Sequence, residues 1–301
     1  MGFDQAVARY EAGDRAAAKT AAQAILKKTP GNADALNLLA VIAQDEGLQS
    51  EAEAFARKAV AAAPGNPLYL NTLGNGLMAQ GRSAEAVEVL AQAHAAMPKQ
   101  ADILFNLANA QRQAGLFDAA MQSFKGTADL RPGHTGAYNN MALMLKSIGD
   151  IESAATILIE AIAHAPKSAE TRFNLGNAMH MAGRLPAAEA AFRKTIELNP
   201  RHAEAYVNLG VVLAEGGLKE KAEESFRKAI TLNPNLAQAY VGLADLIDDG
   251  TLDAVAHRRQ VLAMKPELAA IPIQLAHVPA LRPRRVARGA VQRARGIRQT
   301  P

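Results

Sequence analysis

Apolar residues return along this chain in a helical rhythm that is itself repeated every 34 residues. Units counted from residues 33, 67, 101, 135, 169 and 203 carry packed positions at four, seven, eight and eleven, as in Leu36, Leu39, Ala40 and Ala43. This i, i+3, i+4, i+7 spacing marks one face of an α-helix. Proline stands at 30, 64, 98, 132, 166, 200 and 234, every interval being 34, and again at 266. Twelve residues before each proline is an alanine: Ala18, Ala52, Ala86, Ala120, Ala154, Ala188, Ala222 and Ala254. A glycine lies five residues before seven of these, at 13, 47, 81, 115, 149, 183 and 217.

Each recurring residue has a physical task. Glycine closes a first helix, because it enters the left-handed cap conformation without steric cost. Alanine lets a second helix cross the first at close range, opposite a small residue at Ala40, Gly74, Ala108, Ala142, Gly176, Gly210 and Ala244. Proline ends the second helix, lacking a donor and clashing with the preceding turn. The pattern predicts two antiparallel helices of ~13 residues per unit.

With these periodic glycines, alanines and prolines, the chain resembles the tetratricopeptide-repeat family over residues 1–268. The resemblance implies an all-α, right-handed superhelical solenoid of about eight helix–turn–helix units, near 1–32, 33–66, 67–100, 101–134, 135–168, 169–202, 203–236 and 237–268. The family's large residue early in the first helix appears as Leu36, Leu70, Leu104, Tyr138, Tyr206 and Tyr240. Arg172 breaks that line, and Phe173 is expected to substitute one place later. Gly250 replaces the usual turn glycine in a last unit shortened by two residues, so that turn should be atypical, as terminal repeats often are.

At ~100° per residue, places two, six, nine and thirteen of the first helix point away from its packed side. The resemblance implies that this stripe lines a concave groove. Place six reads Leu38, Thr72, Asn106, Asn140, Asn174 and Asn208, and place nine adds Asn75, Asn109 and Asn177. Asparagine in mid-helix costs ~0.5 kcal/mol or more against alanine. A carboxamide carries an acceptor and two donors, so a row of them can bridge the backbone of an extended peptide. The row is similar to the asparagine ladder of the O-linked N-acetylglucosamine transferase repeats. The alternative is that these asparagines bond to a neighbouring helix as part of the repeat itself. The early groove carries Leu38, Val41 and Leu68, place twelve a basic step of Arg112, Lys146 and His180, and the late groove Glu204, Glu215, Asp245 and Asp249. An acidic end would steer a basic segment toward it, whereas solvated helix charge is the plainer reading.

Composition narrows the chemistry. Aromatics are 4% and cysteine and tryptophan are absent, so disulfides and thiolate metal sites are excluded. The seven histidines lack metal-ligand spacing. Gly74-Asn75-Gly76 falls inside a helix and is no phosphate loop. Nucleophile elbows and HExxH are missing, and Glu223-Glu224 reads as solvated helix exterior. No cofactor, metal or catalytic residue is therefore expected. The lysine–arginine clamp with which some family members hold chaperone tails is not assembled either; its places hold Asn37, Asn71, Phe105, Asn139 and Phe173.

The net charge of +4 resides in a tail. Seven arginines (282, 284, 285, 288, 293, 295, 298) face no acidic residue there, leaving 26 basic against 29 acidic residues, or −3, before them. Residues 269–281 should form a short capping segment and 282–301 a disordered tail; nucleic acid or an anionic membrane could be met only through that tail, which could instead dock on the acidic end of the groove. Without signal-peptide or membrane-span features the cytoplasm is the expected compartment. The opening Ala33–Leu39 resembles the repeats ahead of bacterial glycosyltransferase and sulfotransferase domains, but the 33 residues after the array are too few for a catalytic domain. The expected function is a protein-binding scaffold that holds a partner's extended or helical segment. The alternatives are a non-catalytic recognition array serving a separate transferase chain and an adaptor acting through its basic tail.

Overall fold

The computed structural model describes residues 2–247, all of whose regular elements are α-helices. They form two compact units, Met1–Pro200 and Arg201–Pro301, the second described as far as residue 247. The first unit holds α1 (Phe3–Glu11), α2 (Arg15–Lys28), α3 (Ala33–Asp45), α4 (Gln49–Ala62), α5 (Pro67–Ala79) and α6 (Ser83–Ala96). It continues through α7 (Ala101–Gln113), α8 (Phe117–Leu130), α9 (Thr135–Ser147), α10 (Ile151–His164), α11 (Ala169–Met181) and α12 (Leu185–Leu198). The second holds α13 (Ala203–Glu215), α14 (Lys219–Leu232) and α15 (Ala237–Ile247). The expected features at Gly250, Ala254 and Pro266, the capping segment and the arginine tail lie outside the described residues.

The helix ends follow from the periodic residues. All seven predicted turn glycines have positive φ, from 70° to 84°. At Gly47 its N–H bonds Gln44 O at 3.0 Å and the N–H of Leu48 bonds Ala43 O at 2.9 Å. These two bonds are the Schellman closure, which satisfies carbonyls the helix cannot. Each periodic proline up to 234 follows the C-cap of a second helix, such as Thr29, Ala63 and Met97.

Packing within a pair is tighter than the alanine periodicity alone implies. The periodic alanines from 18 to 222 are 0% exposed. The residue that meets the small one at place eight is, however, the bulky one at place twenty-four. A Cβ on Gly74 would lie 2.4 Å from Leu90, on Gly176 2.6 Å from Phe192, and on Gly210 2.7 Å from Phe226. Glycine is needed there for close approach rather than for its dihedral freedom. Phe173 sits 5.8 Å from Phe192, as Phe105 at the same place sits 5.7 Å from Phe124 beside an intact Leu104, so this contact belongs to place five and not to the place that Arg172 holds.

Within the first unit each helix packs on the next, and first helices also meet the first helices beside them. One core cluster illustrates the continuity: Ala40, Ala56, Leu73, Leu90 and Leu107 join α3 through α7 without a break. Polar ties cross the same seams. Tyr69 donates to Asp34 at 2.5 Å, and its phenol is pushed up to about 12 by burial and by that carboxylate. Gln44 Nε2 donates to Thr72 O at 2.8 Å.

Glu53 accepts from Arg57, Gln80 and Arg82 at 2.7–3.0 Å. Burial pushes its pKa up, but those bonds outweigh it and hold the group at about 2, against an ordinary 4.5. The stabilisation is complete above the unfolded value and is lost as pH falls through about 2. Glu53→Gln should therefore melt a few degrees below the wild type at pH 6. The two melting curves should converge between about 4.5 and 2. A constant gap across a pH series of thermal melts would contradict this.

Candidate functional site

The polar stripe is built on the first helices α5, α7, α9 and α11, where one helical turn per repeat sets asparagines against their neighbours. Asn106 Nδ2 donates to Asn71 Oδ1 at 2.9 Å, and Asn140 Nδ2 donates to Asn109 Oδ1 at 3.3 Å. The amide row thus ties successive first helices together. Each bond uses one donor of its asparagine and leaves a second N–H and an oxygen, so the two readings of the row are not exclusive.

The start of the stripe differs from expectation. Leu38 is 7% exposed and packs with Ala6, Ala18 and Ala22 in the first core cluster. Thr72 is also 7% exposed, and its hydroxyl donates to Leu68 O at 3.1 Å. Both side chains are buried against the preceding repeat. Leu68 is exposed and Val41 half-buried. Asn75 is half-buried, and its Oδ1 is sequestered with no donor.

The stripe opens between α9 and α11. A cleft of about 210 Å3 lies there, walled by Asn139, Asn140, Leu143 and Lys146 of α9 and by Glu170 and Asn174 of α11. Asn139 is only 9% exposed, and neither its Oδ1 nor its Nδ2 has a hydrogen-bond partner. Leu143 is 53% exposed. Lys146 is half-buried, and burial lowers its pKa from the ordinary lysine value. Arg112 holds the same place on α7, with its Nε buried and without an acceptor. Asn177 and His180, half-buried on α11, continue places nine and twelve. Asn139 enters the sequence reading only as a residue at one of the clamp places. The signal was present in its recurrence as Asn37, Asn71 and Asn139.

The remaining predicted residues belong to the second unit. Asn208 is half-buried on α13, and Glu204 and Glu215 are exposed at its two ends, with Glu204 Oε2 3.2 Å from His202 Nδ1. Asp245 is exposed on α15. Among the described residues no group of three acidic or histidine side chains is placed to hold a metal. No described helix is long and apolar enough to cross a membrane.

Two tetratricopeptide-repeat sequence models match the chain, one over residues 3–67 and 182–237, the other over 77–144 and 147–208. No curated protein matches significantly. Among solved structures, the MamA protein is 27% identical, with 61% of this chain and 100% of that one covered at a TM-score of 0.51. A tetratricopeptide repeat protein from Parabacteroides merdae is 19% identical, with 81% and 97% covered at 0.60. The C-terminal part of a repeat protein from Cytophaga hutchinsonii is 15% identical, with 80% and 99% covered at 0.61. These last two are likenesses of fold.

Proposed function

Since this chain belongs to the tetratricopeptide-repeat family, we propose that it is an interaction scaffold that holds an extended segment of a partner polypeptide along α7, α9 and α11. The observation that carries this reading is the unspent carboxamide capacity of that face. Among the described residues, Asn139 is buried with both polar atoms unpaired, and Asn174 beside it makes no side-chain hydrogen bond. Burying a polar group without a partner costs stability, by ~1–3 kcal/mol for a lost partner. A peptide backbone supplies the donor and the acceptor that such amides lack.

The experiment separates these two amides from the pair that ties repeats together. Asn139→Ala with Asn174→Ala should leave the melting temperature unchanged or slightly raised. The same variant should weaken captured partners by about two- to tenfold per lost bond, from a net ~0.5–1.5 kcal/mol each. Asn106→Ala should instead lower stability, because it breaks the bond to Asn71. If affinity-captured partners bind the double variant as tightly as the wild type, the α7–α9–α11 face is not the binding surface.

A further inference from the structure

Most half-buried cations of the first unit have a partner: Lys19 pairs with Glu46 at 2.7 Å, Arg82 with Glu53 at 2.7 Å, and Arg172 donates to Pro166 O at 3.0 Å. Lys146 departs from this pattern. It is half-buried in the wall of the α9–α11 cleft, and its ammonium makes no ion pair and no hydrogen bond among the described residues. Burial lowers its pKa, although Glu170 lines the same cleft. One repeat earlier, at the same place, Arg112 has a buried Nε without an acceptor. Two successive repeats therefore withdraw a cation partly from water and give it nothing.

A partly desolvated ammonium is relieved most directly by a carboxylate, whose charge and oxygens meet both of its needs. The rest of the cleft narrows the kind of carboxylate. Asn139, nine-tenths buried with both amide atoms unpaired, calls for a group that donates and accepts side by side, as a peptide unit does. Leu143, 53% exposed between them, offers an apolar surface to methylene groups. Glu170 stands on the opposite wall. Its charge repels a dianionic phosphate more than a single carboxylate, so the cleft favours the weaker anion.

We propose that the α9–α11 cleft takes an aspartate or glutamate side chain of an extended peptide, its carboxylate on Lys146 and its adjoining peptide unit on Asn139. The proposal rests on the scaffold reading above and adds the chemistry of the bound segment. It differs from the basic partner that the acidic residues of α13 and α15 suggest by composition alone, since those acids are exposed while Lys146 is half-buried. Glu170 acts as a selectivity element that keeps binding of a single carboxylate moderate.

The test uses the full chain and an array of random decapeptides, acetylated and amidated so that the only carboxylates are side chains. A second array leaves the carboxy terminus free. Peptides retained by the wild type should be enriched in Asp or Glu at one position. Changing that residue to Asn or Gln should weaken binding about tenfold, and Lys146→Gln should cost acidic peptides a similar factor. Lys146→Gln should cost the amide versions nothing, so that the two changes are coupled rather than additive. Glu170→Gln should tighten acidic peptides about two- to threefold, and Lys146→Arg should keep the preference. Circular dichroism of each variant controls for folding. Retention without acidic preference, or with zero coupling to Lys146, overturns the inference and leaves the scaffold reading intact. Preference confined to free carboxy termini overturns the side-chain assignment. An array in which no peptide is retained removes both readings.

Discussion

Phe192→Ala should destabilise the first unit by about 3–5 kcal/mol. The ring is 0% exposed, lies where a side chain on Gly176 would be, and meets Phe173 at 5.8 Å. Removing it strips α11 and α12 of their central contact and leaves a void that two rigid helices cannot close. Repeats lean on their neighbours, so the damage should be local. Hydrogen exchange should show amides of α11 and α12 losing protection while those of α3 and α4 keep it. A second change makes the test specific. Gly176→Ala brings its methyl within 2.6 Å of the ring in the wild type, yet fills part of the void in the Phe192→Ala background. The methyl should therefore help in the second context more than in the first. Additive effects would show that Gly176 and Phe192 do not share the crossing.

Ala188→Leu should cost about 1–3 kcal/mol by overpacking. Ala188 is 0% exposed on α12. Leucine would favour the helix as much as alanine by propensity, so any loss must come from the helices being pushed apart. Thermal melts of Ala188→Leu and of Ala187→Leu separate the two effects, since Ala187 is exposed on the same helix. Equal melting temperatures for both would mean that the periodic alanines are not the crossing points.

The periodic residues carried most of the architecture because their roles are backbone roles. A glycine at a left-handed cap or a proline after a C-cap acts through its own chain segment, so its spacing alone sets the turns. The partner of the small residue at place eight was not legible in the same way. Place eight and place twenty-four meet only after two helices have folded together, and the latter varies from Ala56 to Leu90 to Phe192. The helical wheel also misled where three neighbours share one helix. Leu38 and Thr72 lie on the side away from their own second helix, but the adjacent repeat buries them. Asn139 figures in the sequence only at one of the places of a clamp that the chain does not assemble, whereas in the structure it walls the cleft that Lys146 shares.

The short range of the packing has a mechanical consequence. In the first unit, helices touch the next helix or the one after it along the chain. A load applied to the two ends has no long-range clasp to break, so resistance comes from one seam at a time. Each repeat surrendered would release 34 residues, roughly 115 Å of contour length. The seam that joins Glu53 to Arg82 and Gln80 should yield later than a seam without such bonds. Such a chain behaves less as a rigid rod than as a spring whose coils let go singly and re-form when the tension falls.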